Sequence, residues 1–94
     1  MSRLRNVKVK VIGRVQGVGF RYFTQQKAAN FSINGWVKNE KDGSVEIIAQ
    51  GESESIDFFL RALSIGPRPY AKVTNLDVEE VETEITYDYF EIKH

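Results

Sequence analysis

No cysteine occurs anywhere in the 94 residues. That excludes disulfides, thiolate zinc sites and any cysteine nucleophile. Histidine is nearly absent too. The single one, His94, is the last residue and reads as a frayed end rather than a catalytic group. No apolar run approaches the ~18 residues of a membrane span. The opening stretch, "MSRLRNVKVK", has neither the apolar core nor the cleavage pattern of a secretory leader. Together these absences point to the cytoplasm. There is no internal repeat, linker or low-complexity segment, so one domain over residues 1–94 is expected, with a monomer as the default. No cluster of acids has metal-ligand spacing, so no metal is expected. Net charge is zero, which removes the positive excess that drives binding to polyanions, and no nucleic-acid partner or membrane is expected.

What charge there is lies unevenly. Residues 1–41 carry nine Lys or Arg and a single acid, Glu40, whereas residues 42–94 carry four Lys or Arg and twelve acids. The asymmetry fits either ordinary solvated faces or an anion site in the first half.

The pattern along the chain alternates between two periods. Residues 5–13 place Val7, Val9 and Val11 against Lys8 and Lys10, a half-buried strand. From Phe20 to Phe31, apolar positions fall at roughly helical spacing. "INGW" (33–36) reads as a breaker. Residues 35–40 and 44–51 flank "KDG", a hairpin signal. Ile56, Phe59, Leu60 and Leu63 then repeat at i, i+3, i+4, i+7, with Ser53 as the expected N-cap and Gly66-Pro67 as the stop. Residues 71–83 form a strand whose alternation slips between Val73 and Leu76, a bulge or early break. A short strand is expected within 89–94. The order β-α-β-β-α-β, with that strand added, predicts an α+β, ferredoxin-like α/β sandwich. Two helices would cover one face of a mainly antiparallel sheet.

The chemistry concentrates in "GRVQGVGFRYF" (13–23), between the first strand and the first helix. Glycines there permit positive φ, which turns successive N–H groups toward one point. The helix N-terminus adds unpaired N–H groups and partial positive charge. The donors would be the backbone N–H groups from Gln16 to Arg21. The guanidinium of Arg21 can grip two oxygens of a phosphoryl group. The loop is neither a P-loop nor a dinucleotide fingerprint, because the required Gly-Lys-Ser/Thr and G-x-G-x-x-G spacings are missing. On the residues alone it is a phosphate cradle or merely a tight turn. An enzyme with so few acid–base groups would need a substrate with a good leaving group, such as a carboxylate leaving phosphorus.

"GRVQGVGFR" (13–21), "GWVKN" (35–39), "DGSVE" (42–46) and the closing "YFEI" (89–92) together resemble the acylphosphatase family over essentially the whole chain. The resemblance implies hydrolysis of the carboxyl–phosphate bond of a small acyl phosphate, without metal or cofactor. It places the phosphate loop on Gln16, Gly17, Val18, Gly19 and Phe20, the phosphate-binding arginine on Arg21 and the water-positioning asparagine on Asn39. One position departs from the family habit of a small or neutral residue after the asparagine. Here it is Glu40, which alternates to the other strand face and is expected to have little effect. The competing readings are a non-catalytic regulatory domain for a phosphorylated ligand, an RNA-binding module on the same fold, and the first domain of a larger carbamoyl-phosphate-handling maturation protein. The RNA motif that "GVGFRYF" mimics belongs on a third strand, not across a loop and helix.

Overall fold

The computed structural model describes residues 4–94. Arg3, part of the basic N-terminal stretch, lies outside them. Seven elements follow in order: β1 (Leu4–Arg14), α1 (Phe20–Asn30), β2 (Asn34–Asn39), β3 (Val45–Glu52), α2 (Ser53–Ile65), β4 (Lys72–Glu80) and β5 (Phe90–Lys93). The strands form one sheet in the order β4-β1-β3-β2-β5. The β1–β3, β1–β4 and β2–β3 pairs are antiparallel, and β2–β5 is parallel. This is the ferredoxin-like α+β arrangement expected above, with β5 as the added strand. No helix among the described residues is long and apolar enough to cross a membrane.

The alternation in β1 does what period two dictates. Val7, Val9 and Val11 are fully buried under the helices, and Lys8 and Lys10 face the helix-free side. Val45, Ile47 and Ala49 of β3 and Val37 of β2 continue that inner face. α2 answers with Ile56, Phe59 and Leu63, all buried. Each such side chain contributes roughly 1.5–3 kcal/mol by leaving water. α1 buries a narrower stripe of Phe20, Thr24 and Ala28. Thr24 can be there because its Oγ1 donates to the Phe20 carbonyl at 2.9 Å, so no polar atom is stranded. Phe23 and Phe31 only flank the core.

The expected slip in β4 is a bulge. Ile12 pairs with Asn75 and Gly13 with Val73, so Thr74 is skipped. Two expectations need correction. Asn34 and Gly35 do not break the chain but open β2. The break falls earlier, where Ser32 takes φ 57° after α1. The N-cap of α2 is Glu52, with φ −65° and ψ 150°, and Ser53 is already helical. Neither side chain caps the helix, so the hydroxyl that marked Ser53 as the cap is not used for capping.

Topology creates the site. β1 and β2 both run antiparallel to β3, and β5 runs parallel to β2. The C-terminal ends of β1, β2 and β5 therefore reach the same end of the sheet. α1 begins there, after a five-residue loop, Val15 to Gly19.

Candidate active site

The loop is held at both ends and open in the middle. Val15 and Phe20 are buried at its two ends. The side-chain amide of Gln16 donates to the carbonyls of Glu40 and Ser44, at 2.7 and 2.8 Å. It thus ties the loop to the β2–β3 hairpin. Between these anchors, Gly17 (φ 74°) and Gly19 (φ 77°) are left-handed, and a Cβ on either would meet no atom within 4 Å. Open space rules out close packing as the reason for glycine here. The backbone angle is the reason.

Gly19 is also the N-cap of α1 and provides no side-chain cap; the first turn holds no acid. Phe23 donates back to the Gly19 carbonyl at 3.0 Å. The N–H groups of Gln16 through Tyr22 have no acceptor among the described residues. A cluster of free donors at a helix N-terminus is an anion site by construction.

Arg21 extends from the first turn of α1. Its Nη1 donates to the Lys93 carbonyl at 3.0 Å and lies 3.3 Å from His94 Nδ1, which must then accept. It forms no ion pair with a carboxylate among the described residues. The guanidinium is thus aimed by β5 while its charge stays uncompensated. Asn39, the last residue of β2, is half-buried, and its Oδ1 is buried without a hydrogen-bond partner among the described residues.

Five of the expected site residues line one cleft of about 220 Å³: Gly17, Gly19, Phe20, Arg21 and Asn39. Gln16 and Val18 do not. Gln16 spends its amide on the hairpin clamp, and Val18 packs against the core. Their backbone N–H groups still belong to the open loop. The remaining wall includes Tyr22, Ile92 and His94. His94 is a correction to the sequence reading, because it stands against Arg21 instead of fraying. The parallel β2–β5 pairing brings it there, and no local sequence signal encodes that pairing. Phe23 packs on the core, and Trp36 lies beneath the Lys93 ammonium, 5.0 Å from the ring centre.

A larger basin of about 600 Å³ shares Asn39 and His94 with the cleft. Most of its other walls belong to the helix-free sheet face and the hairpin, Lys8, Lys10, Lys38, Glu40 and Glu46 among them. Two of its lysines are already paired, Lys10 with Asp42 at 2.9 Å and Lys8 with Glu46 at 3.7 Å. Glu40 follows the end of β2 and lines this basin, not the cleft. Burial, and then the neighbouring Glu40 carboxyl, push the Glu46 carboxyl above its ordinary value. Among the described residues no group of three or more His, Asp or Glu side chains is placed to hold a metal ion.

The chain matches the family model described as acylphosphatase over residues 7–92. It is 50% identical over 91 residues to the acylphosphatase of Oceanobacillus iheyensis, covering 97% of this chain and 100% of that one. It superposes on the crystal structure of acylphosphatase from Bacillus subtilis with a TM-score of 0.91 at 41% identity, covering 98% and 100% of the two chains. It also resembles part of the crystal structure of T. kodakarensis HypF, with a TM-score of 0.83 at 30% identity. That match covers all of this chain and 12% of the larger one.

Proposed function

The chain belongs to the acylphosphatase family and hydrolyses acyl phosphates, and from that premise we propose how the cleft performs the reaction. The observation that carries the proposal is one arrangement. Uncommitted loop N–H groups and an Arg21 guanidinium without a carboxylate partner line the same cleft as Asn39, whose buried Oδ1 has no hydrogen-bond partner among the described residues.

The N–H groups of the 16–21 loop and the Arg21 fork bind the phosphoryl oxygens. They do so in a fixed frame, because Gln16 and Lys93 hold loop and guanidinium from two sides. Asn39 accepts a hydrogen bond from a water and orients its lone pair toward phosphorus. The water attacks in line, the bond from phosphorus to the carboxylate oxygen breaks, and inorganic phosphate and a carboxylate leave. The proton lost by the water passes to a substrate oxygen. The transition state is loose, with its charge on oxygens that already face donors, so positioning and preorganised electrostatics carry the rate. We place this reaction in a cytoplasmic, monomeric, single-domain protein acting on a small diffusible substrate without metal, cofactor or nucleic acid. The balanced net charge supports that setting.

The test is hydrolysis of benzoyl and acetyl phosphate with and without EDTA. The wild type should turn over both at rates that EDTA does not change. Arg21→Gln should be slower by roughly 10²–10³, the usual loss for one preorganised donor, and should also lose inhibition by inorganic phosphate. A variant within tenfold of wild type would remove Arg21 from the clamp.

A further inference from the structure

We infer that Tyr22 is a specificity-determining residue that contacts the acyl group and favours aromatic or other apolar acyl phosphates. The inference rests on the water-orienting role proposed for Asn39.

Along β2, Val37 is buried, Lys38 is exposed and Asn39 turns back to the helix-covered side. A water held there approaches phosphorus from the sheet. In-line displacement puts the leaving oxygen on the opposite side of phosphorus. The acyl group therefore departs away from the sheet, past the first turn of α1. The side chain at that mouth is Tyr22. It lines the cleft beside Arg21 and is 61% exposed. Single exposed apolar residues are common and mean little. Two features set this one apart. It borders the reacting cleft, and its hydroxyl is fixed by Gln26, whose Nε2 donates to it at 3.2 Å. Among the described residues the ring pairs with no other aromatic side chain. It is a held, uncovered face beside the exit path. Val15, Phe20 and Ile92 make much of the adjoining wall apolar.

The lysine-lined basin is the rival subsite and points to anionic acyl groups instead. Its Lys8 and Lys10 lie on the helix-free face, across the sheet from α1 and Tyr22. Lys8 and Lys10 there are already matched by Glu46 and Asp42. A leaving group cannot occupy the space behind its own nucleophile.

The experiment compares kcat/KM for benzoyl and acetyl phosphate in wild type, Tyr22→Ala and Tyr22→Phe. Comparing each substrate across variants cancels its intrinsic reactivity. Tyr22→Ala should lower the benzoyl-to-acetyl ratio by about five- to tenfold, the size of one aromatic contact. Tyr22→Phe should keep the ratio within about twofold, because it keeps the ring. Inhibition by inorganic phosphate, which has no acyl group, should be the same in all three. An unchanged ratio in Tyr22→Ala overturns the inference. So does weakened phosphate inhibition matching the loss on benzoyl phosphate, since Tyr22 would then be shaping the loop. Failure of the Asn39 reading on which this rests appears separately, as turnover within tenfold of wild type in Asn39→Ala.

Discussion

Replacing Asn39 by alanine should abolish most activity without costing stability. Most substitutions in a folded domain lose about 1 kcal/mol, and those at partly buried positions commonly lose more. Asn39 is different because its Oδ1 is buried and accepts no hydrogen bond from the described residues. A buried unsatisfied acceptor costs roughly 1–3 kcal/mol, less where cleft water reaches it. Truncation removes that cost and gives up only the packing of one small, half-buried side chain. The net is a gain between zero and about 1 kcal/mol. In a domain of this length that raises Tm by up to roughly 4–8 °C. Turnover should fall by at least about 10², because the attacking water loses its orienting acceptor. Thermal unfolding and benzoyl phosphate hydrolysis on the same preparation test both halves. A Tm lowered by more than about 4 °C, on the order of 1 kcal/mol in a domain of this length, would show that the amide holds the end of β2 together. Turnover within tenfold of wild type would show that it does not position the water. Either result refutes the argument, and the expected pairing, inactive yet no less stable, is the mark of a group kept for chemistry.

Two further outcomes follow from the same geometry. Gly19→Ala meets no steric obstacle, so its cost is the left-handed backbone alone, roughly 1–2 kcal/mol; urea unfolding should show that loss together with weaker inhibition by inorganic phosphate, and an unchanged midpoint would contradict the φ of 77°. Glu46→Gln should stabilise the protein at neutral pH: burial and Glu40 hold the folded carboxyl above its ordinary value, so the folded state binds the proton more tightly and wild-type stability falls as pH rises through that raised value. The advantage of Gln should be absent below about pH 4 and grow above it, near the ordinary glutamate pKa; an equal difference in urea midpoint at pH 4 and pH 7 would contradict this.

What the sequence made legible was set by range. The alternation of Val7, Val9 and Val11, the glycines of the loop and the Asp42-Gly43 turn are each read within a few residues, and each is found where it was expected. Arg21 and Asn39, eighteen positions apart, were paired only by resemblance to a family. Nothing local to Asn39 separates it from any hairpin residue. His94 was misread because its place depends on β5 running parallel to β2, a pairing between segments more than fifty residues apart. Gln16 was legible as part of the loop but not as its clamp, since its side-chain partners are the Glu40 and Ser44 carbonyls across the hairpin. Thr24 escaped the apolar pattern because its hydroxyl is satisfied inside its own helix. In each case a contact distant in sequence, or a hydrogen bond invisible to hydropathy, overrode the local signal.

The cleft's poverty in proton donors decides which phosphates it can cleave. Among the described residues no Asp or Glu side chain lines it. Arg21 offers N–H donors, one of them already held by the Lys93 carbonyl. His94 presents Nδ1 to the Arg21 guanidinium as an acceptor. The Tyr22 hydroxyl accepts from Gln26 at the exposed rim of the cleft. An alkoxide leaving group, about as basic as hydroxide at pKa ~16, would need a proton as the bond breaks. A carboxylate, with a pKa of about 4–5 by analogy with side-chain acids, needs none. The difference in basicity, roughly 10¹¹, is large compared with anything a contact to the acyl group supplies. Selection between classes of phosphate thus comes from what the leaving group can do unaided. Selection among acyl phosphates is left to the mouth of the cleft, where one ring is worth a factor of about ten at most. Fixed N–H groups, one guanidinium and one amide are sufficient for a substrate that already carries its own good leaving group.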